Sequence, residues 1–239
     1  GNNITIREML NHTSGLMDYE SLIPNDATEQ VSDLDAYTTM LGLDSTYFTP
    51  GTNYRYSNTG YAILAMIIKE ISGLSFADFL EENIFSPLGM NNSVAHQNGI
   101  STVSNRAYGY SQNGNGFRRD DQSLTSAVLG DGGIYTSLKD MFHWDQSLYT
   151  DSLVPYEILI EAFTSGELSN GEKTGYGFGW RIDTYLYWDR AHHTGSTRGF
   201  RNVFMRFPDQ QISILILTNR NSGSPINIAE KIADYLFDA

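Results

Sequence analysis

From residue 176 onward the sequence changes period, and this change constrains the fold more than any other feature. Residues 176–182, 185–190, 199–207 and 211–218 are rich in β-branched and aromatic side chains. Short polar turns separate them, among them Phe207-Pro208-Asp209-Gln210-Gln211. Connections this short join antiparallel neighbours. Residues 212–217 are almost continuously apolar, the pattern of a central strand. Residues 226–237 then read as an amphipathic closing helix, apolar at 228, 229, 232, 233, 236 and 237.

The part before residue 176 has helical punctuation instead. Thr5 and Glu8 spell a capping box for a helix over 6–11. Ser32-Asp33-Leu34-Asp35 opens a second helix, to about residue 41, and Ser75-Phe76-Ala77-Asp78 another, to about 83. The segment after Gly60 is a very apolar helix that ends at Ser72-Gly73, with glycine just past its last turn. Residues 86–90 read as a turn, and 91–136 as loops and short strands, including 106–110 and a turn at Asn113-Gly114-Asn115-Gly116. Helices open at 137 and 156. Helices and loops followed by a strand meander and a helix make an α+β fold: an antiparallel β-sheet flanked by helices, plus a mostly helical lobe. Residues 1–165 form the helical and loop lobe, and 166–239 the strands and closing helix, within one combined domain.

A net charge of −13 argues against nucleic acid, whose phosphates need a basic surface, and against an anionic membrane surface. The chain has no cysteine, which excludes disulfides, thiol nucleophiles and thiolate metal sites. No run approaches the roughly 20 apolar residues of a membrane helix. No signal peptide opens the sequence, and Gly1-Asn2-Asn3 leads straight into structured-looking residues.

Two stretches carry chemistry. In the first, a Pro50-Gly51 turn leads to Tyr56-Ser57-Asn58, which puts two hydrogen-bonding side chains on a loop just before a buried helix. Taken alone, it also reads as a helix cap with packed tyrosines. The second is His192-His193-Thr194-Gly195-Ser196. It offers a titratable ring, a hydroxyl, and a backbone that a ligand can approach closely at Gly195. It also reads as a polar strand end with two surface histidines. Paired histidines suggest a metal, but no third ligand stands at metal-like spacing.

With these stretches in order, the chain resembles the serine β-lactamase and penicillin-binding-protein superfamily, in particular its class C β-lactamase, DD-peptidase and esterase branch. Six boxes in the family's order carry the resemblance: residues 4–16, ending His12-Thr13-Ser14-Gly15-Leu16; Pro50-Gly51 through Tyr56-Ser57-Asn58; Gly132-Gly133-Ile134-Tyr135-Thr136-Ser137; Tyr176-Gly177-Phe178-Gly179-Trp180; His193-Thr194-Gly195 with Gly199-Phe200; and Leu217-Thr218-Asn219. Lys173-Thr174-Gly175 matches the family's Lys-Thr-Gly motif in letters, but it precedes the Tyr-Gly box and lies in a polar loop. His193-Thr194-Gly195 has the motif's context, with histidine in place of lysine.

The resemblance implies acyl transfer by a serine hydrolase, with a D-alanyl peptide, β-lactam or small ester as substrate and no cofactor. It makes Tyr56 the general base and acid, helped by a cation and by His193 when protonated. Asn58, His193, Thr194 and Gly195 then contact substrate, and the Ser196 N–H is half of an oxyanion hole. The nucleophile is missing. The four lysines, Lys69, Lys139, Lys173 and Lys231, follow Met66, Thr136, Asn170 and Ile228 at three residues' distance, so no Ser-x-x-Lys exists. The reading is therefore of an N-terminally truncated hydrolase domain, inactive alone. Its missing N-terminal segment, or a second chain, would cover apolar surface on 61–68 and 212–217. The alternative is a catalytically inactive ligand-binding homologue. By the same resemblance, the location is periplasmic or otherwise extracytoplasmic.

Overall fold

The computed structural model describes residues 3–237. Gly1 and Asn2, which the sequence joins directly to the first helix, lie outside the described residues. The predicted helices form where the caps place them. Helix α1 (Ile6–Leu10) carries the Thr5–Glu8 capping box, and α2 (Asp33–Leu41) carries the Ser32–Asp35 box. Helix α3 (Asn58–Ser72) stops at Gly73, whose φ of 74° suits a residue without Cβ.

The turn expected at 86–90 is a helix instead. Helix α4 (Phe76–Leu80) runs through a π-helical turn (Glu81–Phe85) into α5 (Ser86–Leu88) and ends at Gly89. Pro87 is tolerated because it stands in the first turn of α5, where its missing N–H costs little. Strands β1 (Val94–Ala95) and β4 (Ile134–Tyr135) pair with each other. The hairpin β2 (Tyr110–Asn113) and β3 (Gly116–Arg119) turns at Gly114-Asn115, so 106–109 precede the strand rather than forming it. Helices α6 (Leu138–Ser147) and α7 (Tyr156–Ala162) complete the lobe.

Strands β5 (Arg181–Tyr185), β6 (Trp188–Thr197), β7 (Phe200–Phe207) and β8 (Ile212–Thr218) form one antiparallel sheet in sequence order. Two strand boundaries differ from the sequence reading. Leu186 and Tyr187 both take positive φ in a two-residue turn, which splits the expected 185–190 strand between β5 and β6. Residues 176–180 are not strand, and Gly179 turns there at φ 79°.

Among the described residues strand β8 lies at the sheet edge, with β7 as its only partner there, where its composition predicts a central position. Among the described residues its apolar run is covered on two faces. Ile212, Ile214 and Ile216 pack with Val203, Met205 and Phe207 against Ala229 and Ala233 of α8 (Pro225–Phe237). The alternate residues Ser213, Leu215 and Leu217 face the helical lobe. Apolar surface does remain open on both segments singled out for it: Leu217 is 38% exposed, and Ile63, Leu64, Met66, Ile67 and Ile68 are half-buried. On α8, Ile228, Ile232 and Leu236 also face outward.

One ion pair fastens the sheet to the lobe. Arg206 of β7 is fully buried and donates from Nε to Asp145 Oδ1 of α6 at 2.7 Å. The same carboxylate accepts from Ser213 Oγ at 2.6 Å, and the guanidinium lies over Tyr149 and Phe163. A second anchor sits at the end of α1. His12 is 2% exposed and adopts φ 57°. Its carbonyl accepts from Arg55 N at 3.0 Å and its Nδ1 from Ser57 N at 3.2 Å, so a buried ring holds the 50–57 loop in place.

Two outcomes follow. Asp145→Asn leaves a guanidinium buried without its counter-charge and should lower unfolding free energy by about 3–5 kcal/mol; the combined Arg206→Met, Asp145→Leu protein should recover most of the loss in denaturant titrations. Burial, with the charges of His193 and Arg181, lowers the His12 pKa from 6.5 to about 3. Below pH 6.5 the unfolded chain binds a proton that the folded chain refuses, so this contribution falls as pH drops from 6.5 toward 3, by up to about 1.4 kcal/mol per pH unit. The difference in unfolding free energy between pH 7 and pH 5 should shrink in His12→Gln.

Candidate active site

Tyr56 and Asn58 stand where the 50–57 loop enters α3. Ser57 is the helix N-cap but makes no side-chain capping bond. The first turn is pinned by other groups. Thr59 Oγ1 accepts from Tyr19 N and donates to Met17 O, both at 2.8 Å, and Tyr61 Oη donates to Leu10 O at 2.9 Å. Asn58 is thereby free of capping duty, and its Nδ2 donates to Glu20 Oε1 at 2.9 Å.

His193, Thr194, Gly195 and Ser196 lie within β6 rather than at its end. Two tight turns fix which way their backbones point. Trp188 closes the Leu186-Tyr187 turn with β5, and Thr197 closes the Arg198-Gly199 turn with β7. Such turns close on doubly hydrogen-bonded pairs, and bonding direction alternates along an antiparallel strand. Even-numbered residues of β6 therefore bond toward β5 and odd-numbered ones toward β7. Strand β5 stops opposite His192. The N–H and C=O of Thr194 and Ser196 consequently lie on an edge with no strand partner among the described residues. His193 and Gly195 put their side-chain positions on the lobe-facing side, and Thr194 puts its hydroxyl on the other.

The lobe and this edge enclose a cavity of about 620 Å³. Asn58, Glu20 and Asp131 line one side, and Gly195, Ser196 and Asn202 the other. Tyr56 is 36% exposed, and its ring lies 6.1 Å from that of His193 and 4.1 Å from that of His12. The fold thus brings Tyr56 to His193, and Asn58 to the cavity shared with Gly195 and Ser196, across more than 130 residues of sequence. Thr194 reaches this face only through its backbone. Lys173 of the rejected Lys-Thr-Gly is exposed and pairs with Glu167.

Electrostatics set the protonation states. Burial, reinforced by Asp131, pushes the Tyr56 phenol up to about 12, against the pull of Arg181. Burial raises Asp131 to about 7, although Tyr19 Oη donates to it at 2.6 Å. Burial also lowers His193, so its ring is neutral near pH 7. Among the described residues no group of three or more His, Asp or Glu could hold a metal ion, and no helix is long and apolar enough to cross a membrane.

Three residues at the site escaped the sequence reading, and a fourth was seen without its role. Asp131 enters the cavity because Asp33 accepts from the N–H groups of Leu129 and Gly130, both at 2.9 Å. Its signal was a lone carboxylate among the glycines Gly130, Gly132 and Gly133. Glu20 and Arg181 had no local signal. Tyr176 was visible only as part of its glycine-rich box.

The family described as Beta-lactamase matches residues 1–237. Penicillin-binding protein 4* of Bacillus subtilis (strain 168) is 32% identical over 264 residues, covering 97% of this chain and 58% of that protein. A D-aminopeptidase of Brucella canis is 30% identical over 218 residues, covering 90% of this chain and 41% of the relative. The chain thus spans roughly half the length of the curated relatives it matches. The octameric penicillin-binding protein homologue from Pyrococcus abyssi superposes with a TM-score of 0.84 at 22% identity, over 98% of this chain and 56% of that one. A family match over residues 1–237, on an antiparallel sheet with a helical lobe that the Pyrococcus abyssi structure shares, places this chain in the Beta-lactamase family.

Proposed function

We propose that this chain carries most of the active-site cleft of a serine hydrolase that transfers an acyl group from an amide or ester of a D-amino acid to water. The observation that carries the reading is the open edge of β6. Ser196 presents an N–H there with no strand partner among the described residues, beside the cavity that Asn58 lines from the opposite side. An N–H fixed by a sheet is the kind of donor that stabilises a developing oxyanion without reorganising. A Cβ added at Gly195 would meet only Asn202, at 3.7 Å, so nothing in the chain itself demands glycine there. Close approach of a substrate does. The cavity's size suits a small substrate. The name of the D-aminopeptidase relatives supplies the D-configured substrate class.

In this reading Tyr56 carries the proton between nucleophile and leaving group, Asn58 orients the substrate amide, and His193, Thr194 and Gly195 form the strand-side wall. Residues 1–165 and 166–239 act as two halves of one catalytic domain. With its pKa near 12, Tyr56 is protonated at neutral pH and is a poor base until a cation approaches it. Arg181 supplies part of that pull. The larger part is assigned to the family's lysine, three residues after the nucleophilic serine, on a segment of the full-length protein outside these 239 residues. A location outside the cytoplasm fits the penicillin-binding relatives.

The full-length protein should be labelled covalently by a fluorophosphonate or a fluorescent penicillin; labelling by neither would favour a catalytically inactive ligand-binding homologue and overturn the proposal. Tyr56→Phe should lower kcat by about 10²–10⁴-fold while the far-ultraviolet circular dichroism spectrum stays unchanged. Turnover within a few-fold of wild type would remove Tyr56 from the proton path.

A further inference from the structure

His193 has no ring nitrogen to spare. Its Nδ1 lies 2.9 Å from the carbonyl oxygen of Thr194, and its Nε2 lies 3.0 Å from the hydroxyl of Tyr176. A carbonyl carries no proton, so the proton of that contact belongs to Nδ1. In a neutral ring Nε2 is then bare, and Tyr176 must be the donor. One proton arrangement satisfies both contacts. The opposite tautomer would set the Nδ1 lone pair against the Thr194 oxygen and turn the ring away.

The surroundings favour this neutral state. Burial, together with Arg181 and His192, holds His193 below its ordinary pKa, against the Thr194 carbonyl. The other groups around it are the rings of Tyr56 and Tyr176, and none of the contacts is to a carboxylate. Tyr176 is 1% exposed, and burial among Tyr61, Tyr56 and Tyr54 raises its pKa, so its hydroxyl stays protonated and remains a donor. Its backbone is tied down separately: Tyr176 O accepts from Asn11 Nδ2 at 3.1 Å and from Gly166 N at 2.8 Å.

The carbonyl that His193 covers is one of the few groups on the open edge of β6. We propose that Tyr176 is a positioning residue: by holding His193 across the Thr194 carbonyl, it covers that acceptor and leaves the Ser196 carbonyl as the uncovered backbone acceptor on the edge. An extended substrate can otherwise bond an edge strand in two registers, one residue pair apart. Covering Thr194 O denies the second register to any substrate whose N–H would seek it. An ester, which lacks that N–H, is indifferent. In this role Tyr176 acts through the His193 ring.

The test has two arms. The first reads the tautomer in the full-length protein at neutral pH, using ¹⁵N-histidine and two-bond proton–nitrogen correlation, with His193→Gln assigning the signal. Wild type should show a single Nδ1–H ring, and Tyr176→Phe, which keeps the aromatic volume, a mixture of tautomers. An Nε2–H ring in wild type overturns the proposal without any variant having to fold, as does an unchanged signature in Tyr176→Phe. The second arm rests on the acyl-transfer reading. Tyr176→Phe should lower kcat and KM together by about 3- to 10-fold for amide substrates, the size of one net hydrogen bond, leaving kcat/KM and ester turnover near wild type. That pattern marks unproductive binding in a second register. Equal loss of kcat/KM for amides and esters would indicate mere structural damage and overturn the register role. A protein that hydrolyses nothing would refute the acyl-transfer reading while the nitrogen spectra still score Tyr176.

Discussion

The Arg206–Asp145 pair is the constraint on which the cleft depends. A guanidinium with no exposed surface is tolerable only where a carboxylate and aromatic faces replace its water; α6 supplies the carboxylate, and Tyr149 and Phe163, just beyond α6 and α7, supply the faces. The pair sets the spacing between sheet and lobe. Along β7, Asn202, Phe204 and Arg206 share the lobe-facing side and divide the labour. Arg206 clamps, Phe204 packs on Trp180 with ring centroids 5.4 Å apart, and Asn202 faces the cavity. The opposite face repeats Val203, Met205 and Phe207 against the alanines of α8. A single strand thus carries a dry core on one side and, on the other, a gradient from ion pair to open cleft.

The two walls of the cleft differ in charge. Asn58's side carries Glu20 and Asp131, the latter held near neutrality by burial, while Arg181 lies close to Tyr54 and Tyr56. Tyr56 lies between these fields, and burial, with Asp131 adding to it, raises its phenol against the pull of Arg181. The Tyr56 phenol is therefore held protonated at neutral pH, and a closer cation would be needed to lower its pKa.

Much of this was legible in the sequence, for identifiable reasons. Capping boxes at Thr5 and Ser32 work through bonds three residues apart, so local spelling decides them. The sheet was visible because β-branched residues alternate with turns. The break at Leu186-Tyr187 was hidden because neither is a usual residue for positive φ. The apolar run of β8 predicted strands on both sides, whereas among the described residues it has β7 on one side, with a helix on one face and the lobe on the other. At the site, Tyr56, Asn58 and the His193 segment were legible through family motifs, whereas Asp131, Glu20 and Arg181 matter only through neighbours distant in sequence. The role of Tyr176 depends on a proton position that no sequence pattern encodes.

The turn between β6 and β7 carries a last implication. A Cβ on Gly199 would fall 2.1 Å from Tyr110 N, and one on Gly109 would fall 2.6 Å from the Phe200 ring, because two backbones meet there without side chains between them. Gly199 N also donates to Asp120 O at 2.9 Å. The rim beside Ser196 is therefore built like a mortised joint rather than a hinged flap. A ligand entering there meets a mouth already in its final shape, loses little freedom in ordering it, and is selected by fit rather than by closure.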